Sequence, residues 1–219
     1  MQQLAINNLF FERDDEPLFG DLSASWESGA VVQVTGHNGC GKTTLLRIIA
    51  GLLPASAGTI TWNTQANKGL SFKSQLLFLG HHVGVKLSMS PLENLRWYFA
   101  LNGLKAQGTD SQGVSLQRLR WALLQVGLAS YEDVPCYSLS AGQQRRVALA
   151  RLYLSQAPLW ILDEPFTAID KSGVASLEQE IDRHAAAGGI VLLTTHQRWK
   201  SSHIEVLDLE QYKGRAAHD

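Results

Sequence analysis

Cysteine is scarce in this sequence: Cys40 and Cys136 are the only two among 219 residues, too few for a disulfide framework. That usage fits a reducing compartment better than an oxidising one. Also missing is any run of 18 or more apolar residues, so no stretch reads as a membrane-spanning helix. If the chain works at a membrane, something else holds it there. The N-terminal Met1-Gln2-Gln3-Leu4-Ala5-Ile6 lacks a basic segment leading into a long apolar run and does not resemble a secretory signal. Nor is there an excess of charge of one sign. Nineteen Lys and Arg stand against 20 Asp and Glu, which argues against nucleic acid as the main ligand, because backbone binding needs a concentrated basic surface.

What is present begins with size: 24.1 kDa suffices for one domain with a sizeable core, or a core with a smaller lobe. The stretch that organises the chain is Gly36-His37-Asn38-Gly39-Cys40-Gly41-Lys42-Thr43-Thr44. An apolar run, Val31 to Thr35, precedes it, and Leu45 to Ala50 follows with helical spacing. Strand, glycine-rich turn and helix thus come in the order a phosphate-binding loop requires. Its glycines let backbone N–H groups converge on phosphate oxygens at the positive end of the new helix. Lys42 is expected to reach the β/γ-phosphates, and the Thr43 hydroxyl to ligate Mg²⁺.

Residues 3 to 35 read as short strands joined by polar turns, and the helix after the phosphate loop is expected to stop near Gly51 to Pro54. Thr59–Trp62 and Leu76–Leu79 read as strands, with Asn63 to Lys73 polar and exposed between them. Ser90-Pro91-Leu92-Glu93 predicts a capped helix to about residue 105, followed by a loop from Gly108 to Gly113 and a helix from about Leu116 to Val126. Trp97, Tyr98 and Phe99 fit either core or a partner-facing surface. Ser140-Ala141-Gly142-Gln143 is a second capping box, whose helix is expected to reach about Ser155. Beyond it come a strand at Leu159–Asp163, a helix over 172–186, a strand at Ile190–Thr194 and a last strand within 202–209, before a polar end expected to fray. Strands separated by helices, with polar residues at their carboxyl ends, predict a mostly parallel α/β core.

Asp163-Glu164 closes an apolar strand, as a Mg²⁺-dependent nucleoside triphosphatase needs opposite its phosphate loop. Asp163 would hold the metal and Glu164 would orient and deprotonate the attacking water. Taken alone, the pair is also an ordinary exposed strand end.

With these pieces in order, the chain resembles the nucleotide-binding domain of ATP-binding cassette transporters over essentially its whole length. The signature stands as Leu139-Ser140-Ala141-Gly142-Gln143-Gln144-Arg145-Arg146, with Ala141 where the family usually has glycine, and Thr167-Ala168-Ile169-Asp170 and His196 follow the acidic strand end. The resemblance implies a P-loop NTPase core with an N-terminal antiparallel β subdomain (1–89 and 157–210 together) and a helical subdomain over 90–156. It implies MgATP bound between two copies of the chain, with Ser140, Gly142 and Gln143 of one copy closing on the γ-phosphate held by the other, and one copy alone a poor ATPase. It implies Glu164, His196 and Lys42 as catalytic groups. His196 at a strand end also fits an ordinary hydrogen-bonded group, and Asp170 a helix cap.

Two departures narrow the resemblance. Gly80-His81-His82 stands where the family has a glutamine that touches Mg²⁺ or water, making His81 the replacement, though imidazole suits direct Mg²⁺ ligation badly. The family's adenine-stacking aromatic ring is replaced in position by Arg13, with Phe10 and Phe11 close by. Leu79-Gly80-His81-His82, Trp160 to Asp170 and Leu193-Thr194-Thr195-His196-Gln197 are similar to the branch of the family that serves cytochrome c maturation. That branch implies a peripheral subunit on the cytoplasmic face of the bacterial inner membrane, paired with integral subunits and powering haem export or release of a haem-loaded periplasmic chaperone. Another ABC importer or exporter would share every catalytic residue. A soluble cassette ATPase would need tandem cassettes or a long inserted coiled coil. Nothing in the composition shows haem, since no Cys-x-x-Cys-His occurs.

Overall fold

A computed structural model describes residues 1–82, 84–102, 109–110, 113–197 and 204–214. Residues 103–105 of the expected helix end, parts of the 108–113 loop, residues 202–203 of the last strand and the 215–219 tail lie outside them.

The chain opens with a hairpin of β1 (Gln3–Arg13) and β2 (Glu16–Glu27). Arg13 pairs with Glu16 across Asp14 and Asp15, both at positive φ, which is the two-residue turn whose twist matches the strands it joins. These strands are far longer than the broken alternation predicts. The pairing shifts register between Ile6 and Leu9 and again between Leu9 and Phe11, where Asn8 and Asp21 take left-handed backbone. Each extra residue flips the inward face while the strand continues, so the hydrophobic period is lost without the strand being lost.

β3 (Val31–Thr35) and α1 (Lys42–Ile49) follow, then β4 (Ala57–Trp62), β5 (Gln65–Ala66), the short α2 (Gly69–Lys73) and β6 (Leu76–Leu79). β2-β1-β4-β5 form one antiparallel sheet. Most of the 63–73 segment is exposed as its polarity predicts, but Phe72 is buried, and the buried Asn67 amide donates to the Ile48 and Ile49 carbonyls at 2.8 and 3.1 Å, satisfying the end of α1.

α3 (Pro91–Asn102) leads to the β7 (Thr109–Asp110) and β8 (Gly113–Val114) ribbon, α4 (Leu116–Gln125), a 3₁₀ turn at Cys136–Ser138 and α5 (Ala141–Leu149). β9 (Leu159–Asp163), α6 (Lys171–Ala186), β10 (Ile190–Thr194), β11 (Ile204–Asp208) and a 3₁₀ turn at Leu209–Tyr212 complete the described chain. The second sheet, ordered β11-β3-β10-β9-β6, is parallel throughout. Both its faces are covered, which explains the unbroken apolar runs in β9 and β10. Leu159, Ile161, Ile190 and Leu192 point into a core shared with α1 and the antiparallel sheet. Trp160, Leu162, Val191 and Leu193 point into the other, shared with α3 to α6. Thr35, Asp163 and Thr194 therefore end together at one edge of the sheet, the edge where open α/β sheets place their ligands.

The helical part rests on Leu95, Phe99, Leu119, Leu123 and Val147. Ser90 and Glu93 cap α3 reciprocally, the Ser90 N–H donating to the Glu93 carboxylate at 2.8 Å and the Glu93 N–H to the Ser90 hydroxyl at 3.3 Å. α5 ends at Leu149, short of the expected Ser155, and 150–154 run on as turns. Of the three neighbouring aromatics, Phe99 is buried. Tyr98 lies under the Arg151 guanidinium and Trp97 under the Lys86 ammonium, each 4.2 Å from the ring centre. The buried Asn94 amide donates to the carbonyls of Lys86, Met89 and Ser90, while its oxygen accepts the Lys86 N–H at 2.8 Å. Asn94→Leu strands several of these groups and is expected to cost about 2–4 kcal/mol, read by urea unfolding. A loss under about 0.5 kcal/mol would contradict the assigned role.

On the same face of β9, the His184 ring stacks on Trp160 with centres 3.8 Å apart and planes 8° apart. Burial holds its pKa down to about 4, against a hydrogen bond to the Pro158 carbonyl that favours the charged form. The unfolded chain binds a proton near pH 6.5 and the folded chain does not until about pH 4. Stability from this group is thus complete above about pH 6.5 and is lost as pH falls toward 4, by roughly 3 kcal/mol. His184→Phe is expected to flatten the fall in thermal midpoint between pH 7 and pH 4.5. An equally steep fall in the variant would refute the assignment.

Candidate nucleotide site

At the carboxyl end of β3 the chain turns through Gly36 to Gly41 into α1. Gly36, Gly39 and Gly41 all have positive φ, and Gly41 is the N-terminal cap of α1, with no side chain competing for the first amides. His37, Asn38 and Gly39 are exposed and Cys40 is buried beneath them. The Lys42 ammonium folds back on the loop, donating to the Gly36 and His37 carbonyls at 2.7 and 3.0 Å. The cation stands at the mouth of the loop that the helix dipole already makes attractive to anions.

Thr43 and Asp163 meet across the sheet edge. The Thr43 hydroxyl donates to Asp163 Oδ2 at 2.9 Å, and the Thr194 hydroxyl donates to Oδ1 at 2.8 Å. Asp163 is 2% exposed, so its charge sits in a dry setting held by two hydroxyls. Thr194 Oγ1 also accepts the Glu164 N–H at 2.9 Å. Glu164 has φ 52°, an uncommon backbone for a non-glycine residue, which turns it out of the strand line. Its carboxylate lies 3.5 Å from the His196 Nε2. Arg13, Asn38, Lys42, Thr43, Asp163, Glu164 and His196 share the walls of one open cleft of about 400 Å³. The Arg13 guanidinium donates to Thr44 Oγ1 at 3.3 Å, at one side of the cleft beside Leu18.

The signature residues stand elsewhere. Ser140 caps α5, its hydroxyl accepting the Gln143 N–H at 3.2 Å while the Gln143 side chain accepts the Ser140 N–H at 2.8 Å. Neither Ser140 nor Gly142 nor Gln143 lines the cleft that holds Lys42. At Gly142 a Cβ would fall 2.9 Å from the Ala168 carbonyl, so only glycine lets α5 approach the turn after β9 this closely. Asp170 caps α6, accepting the Gly173 N–H at 2.8 Å and the Ser172 hydroxyl at 3.1 Å, and those bonds hold its pKa below the usual carboxylate value. The His81 side chain does not line the cleft; it is exposed and meets the His82 ring edge-on.

Two functional positions escaped the sequence analysis. Thr194 bridges Asp163 and Glu164, but a threonine ending an apolar strand carries no signal until the strands are ordered. Arg145 is 6% exposed, and its guanidinium donates to the Asp163, Glu164 and His81 carbonyls at 3.0, 2.5 and 3.2 Å. Burial lowers its pKa, against the nearby Asp163 and Glu164 charges. A charged residue on the apolar side of α5, beside Val147 and Ala148, was the available clue.

A family model described as ABC transporter matches residues 19–167. The chain is 53% identical to the cytochrome c biogenesis ATP-binding export protein of Saccharophagus degradans over 95% of this chain and 93% of the relative. It is 48% identical to the protein of that description from Haemophilus influenzae, over 96% and 97% of the two chains. Among solved structures it is similar to an ABC transporter ATP-binding protein from Pyrococcus furiosus, with a TM-score of 0.81, 27% identity and coverage of 96% of this chain and 99% of that one.

Proposed function

Because this chain belongs to the ABC transporter family, among its ATP-binding proteins, we propose that it hydrolyses ATP as the peripheral motor subunit of a cytochrome c maturation complex. The proposed place is the cytoplasmic face of the bacterial inner membrane, beside integral subunits. Hydrolysis there would power haem export or the release of a haem-loaded periplasmic chaperone. The observation that carries the ATPase reading is the contact of Thr43 with Asp163, which brings phosphate loop and acidic strand end to one point. The similarity to cytochrome c biogenesis relatives supports the biological setting.

The donors present fit Mg²⁺: a hydroxyl and a carboxylate oxygen, both hard ligands, next to space for phosphate and water. Thr43 and Asp163 would hold the ion, which when bound neutralises charge on the β- and γ-phosphate oxygens. Lys42 leaves the Gly36 and His37 carbonyls for those oxygens. Glu164 takes the proton of the attacking water, and His196 beside it touches the γ-phosphate and registers its loss. Arg13 covers the base. Ser140, Gly142 and Gln143 of a second copy close the cleft, which accounts for their distance from Lys42 within one chain. The helical part, 90–156, then moves against the core, 1–89 and 157–210, with Arg145 joining α5 to the acidic strand end and to the His81 backbone. His81 thereby belongs to the path toward the membrane subunits, with its imidazole acting through water.

The test is purification of the tagged chain from bacterial membranes with its partners, followed by ATP addition. ATP is expected to release a haem-bearing periplasmic protein, and a non-hydrolysable analogue is not. Recovery of integral partners that handle another cargo, with no haem protein released, would overturn the cytochrome c setting and leave the ATPase reading standing.

A further inference from the structure

The phosphate loop carries a second constellation that ATP chemistry does not use. A ring nitrogen of His37, Cys40 Sγ and a Glu210 carboxylate oxygen all lie within 4.8 Å of one another. Glu210 comes from the C-terminal 3₁₀ turn, 173 residues away, and touches the loop twice: Oε1 accepts the His37 N–H at 2.8 Å and contacts the His37 ring. Imidazole, thiol and carboxylate are the mixed donor set that binds zinc, and ligand distances of about 2.0–2.3 Å place tetrahedral donors roughly 3.5 Å apart. None of the present separations exceeds that value by more than about 1.3 Å.

At Gly36 a Cβ would fall 2.5 Å from Cys40 Sγ and 3.3 Å from Glu210 Oε1, so only glycine lets the loop bring sulfur and carboxylate this close to its backbone. His37 and Glu210 are exposed and Cys40 is 6% exposed, which gives an entry from solvent and an enclosed sulfur.

We propose that His37, Cys40 and Glu210 bind a zinc-class divalent cation that pins the phosphate loop to the C-terminal turn and suppresses nucleotide binding. The Cys40 thiol gives its proton to water as the metal–sulfur bond forms. Thiolate, carboxylate and neutral imidazole then balance the dication, and water fills the fourth position. Pinned through His37 and Cys40, the loop keeps its folded-back shape, with Lys42 on the Gly36 and His37 carbonyls and away from phosphate. Binding of the ion does not depend on the ATPase reading; the inhibition does.

The closing experiment is a Co²⁺ titration of the nucleotide-free full chain, followed by Zn²⁺ displacement. Wild type is expected to show a thiolate-to-cobalt charge-transfer band that Zn²⁺ abolishes, and Cys40→Ala to lack it. Glu210→Gln alters an exposed side chain outside the cleft and is expected to weaken Co²⁺ binding at least about tenfold. Absence of the band in wild type, or unchanged affinity in Glu210→Gln, overturns the site. In ATPase assays the Zn²⁺ concentration for half-inhibition is expected to rise at least about tenfold in Glu210→Gln. Zinc–ATP forms equally with either protein, so equal half-inhibition overturns the regulatory claim. A wild type without ATPase activity would instead sink the functional reading while the cobalt titration still decides the site.

Discussion

Lys42→Ala is expected to lose ATP hydrolysis by about a hundredfold to a thousandfold, the range for removing one preorganised group that meets developing charge. The lysine is the cation that the loop itself carries to the β/γ-phosphates, whereas the Arg13 guanidinium on the same cleft is bonded to Thr44. Its bonds to the Gly36 and His37 carbonyls are to half-exposed and exposed groups that water also satisfies, so folding does not depend on it. The expected signature is therefore a weakened affinity for ATP and little turnover at a thermal midpoint near wild type. Steady-state kinetics and a nucleotide-binding titration check it. Full turnover in the variant would refute the role given to Lys42.

Glu164→Gln is expected to separate binding from chemistry. General-base assistance contributes about 10²–10⁴-fold, and glutamine keeps the shape while giving up the proton acceptor. The residue's unusual backbone is fixed by its own main chain: the N–H goes to Thr194 and the carbonyl accepts Arg145. Changing the side chain leaves those bonds alone. The variant should therefore hold ATP, hydrolyse it about a hundredfold or more slowly, and accumulate as a closed dimer visible by sedimentation. Unchanged turnover, measured with the membrane partners present, would remove Glu164 from the role of base.

How much of this was readable beforehand depended on whether a residue's job is local. β6, β9 and β10 matched their expected bounds because both sheet faces are covered, and a continuous apolar run of strand length has few other uses. Both capping boxes were readable because cap and partner lie three residues apart. The hairpin was not, because bulges at Asn8 and Asp21 break the period that marks a strand. Thr194 and Arg145 were not either, since each serves partners brought close only by the fold, up to 64 residues away for Arg145 and His81. The distance between His81 and the cleft has the same origin. Its place in the sequence suggested nucleotide contact, yet the turn after β6 presents its backbone to Arg145 and its ring to solvent.

The central claim is that one triphosphate is gripped by two copies of this chain. A structure of Glu164→Gln with MgATP tests it most directly. The account predicts a symmetric pair in which each γ-phosphate lies between Lys42, Thr43 and Asp163 of one copy and the Ser140 end of α5 of the other. ATP bound away from Lys42, or a closed site formed within a single chain, would contradict it.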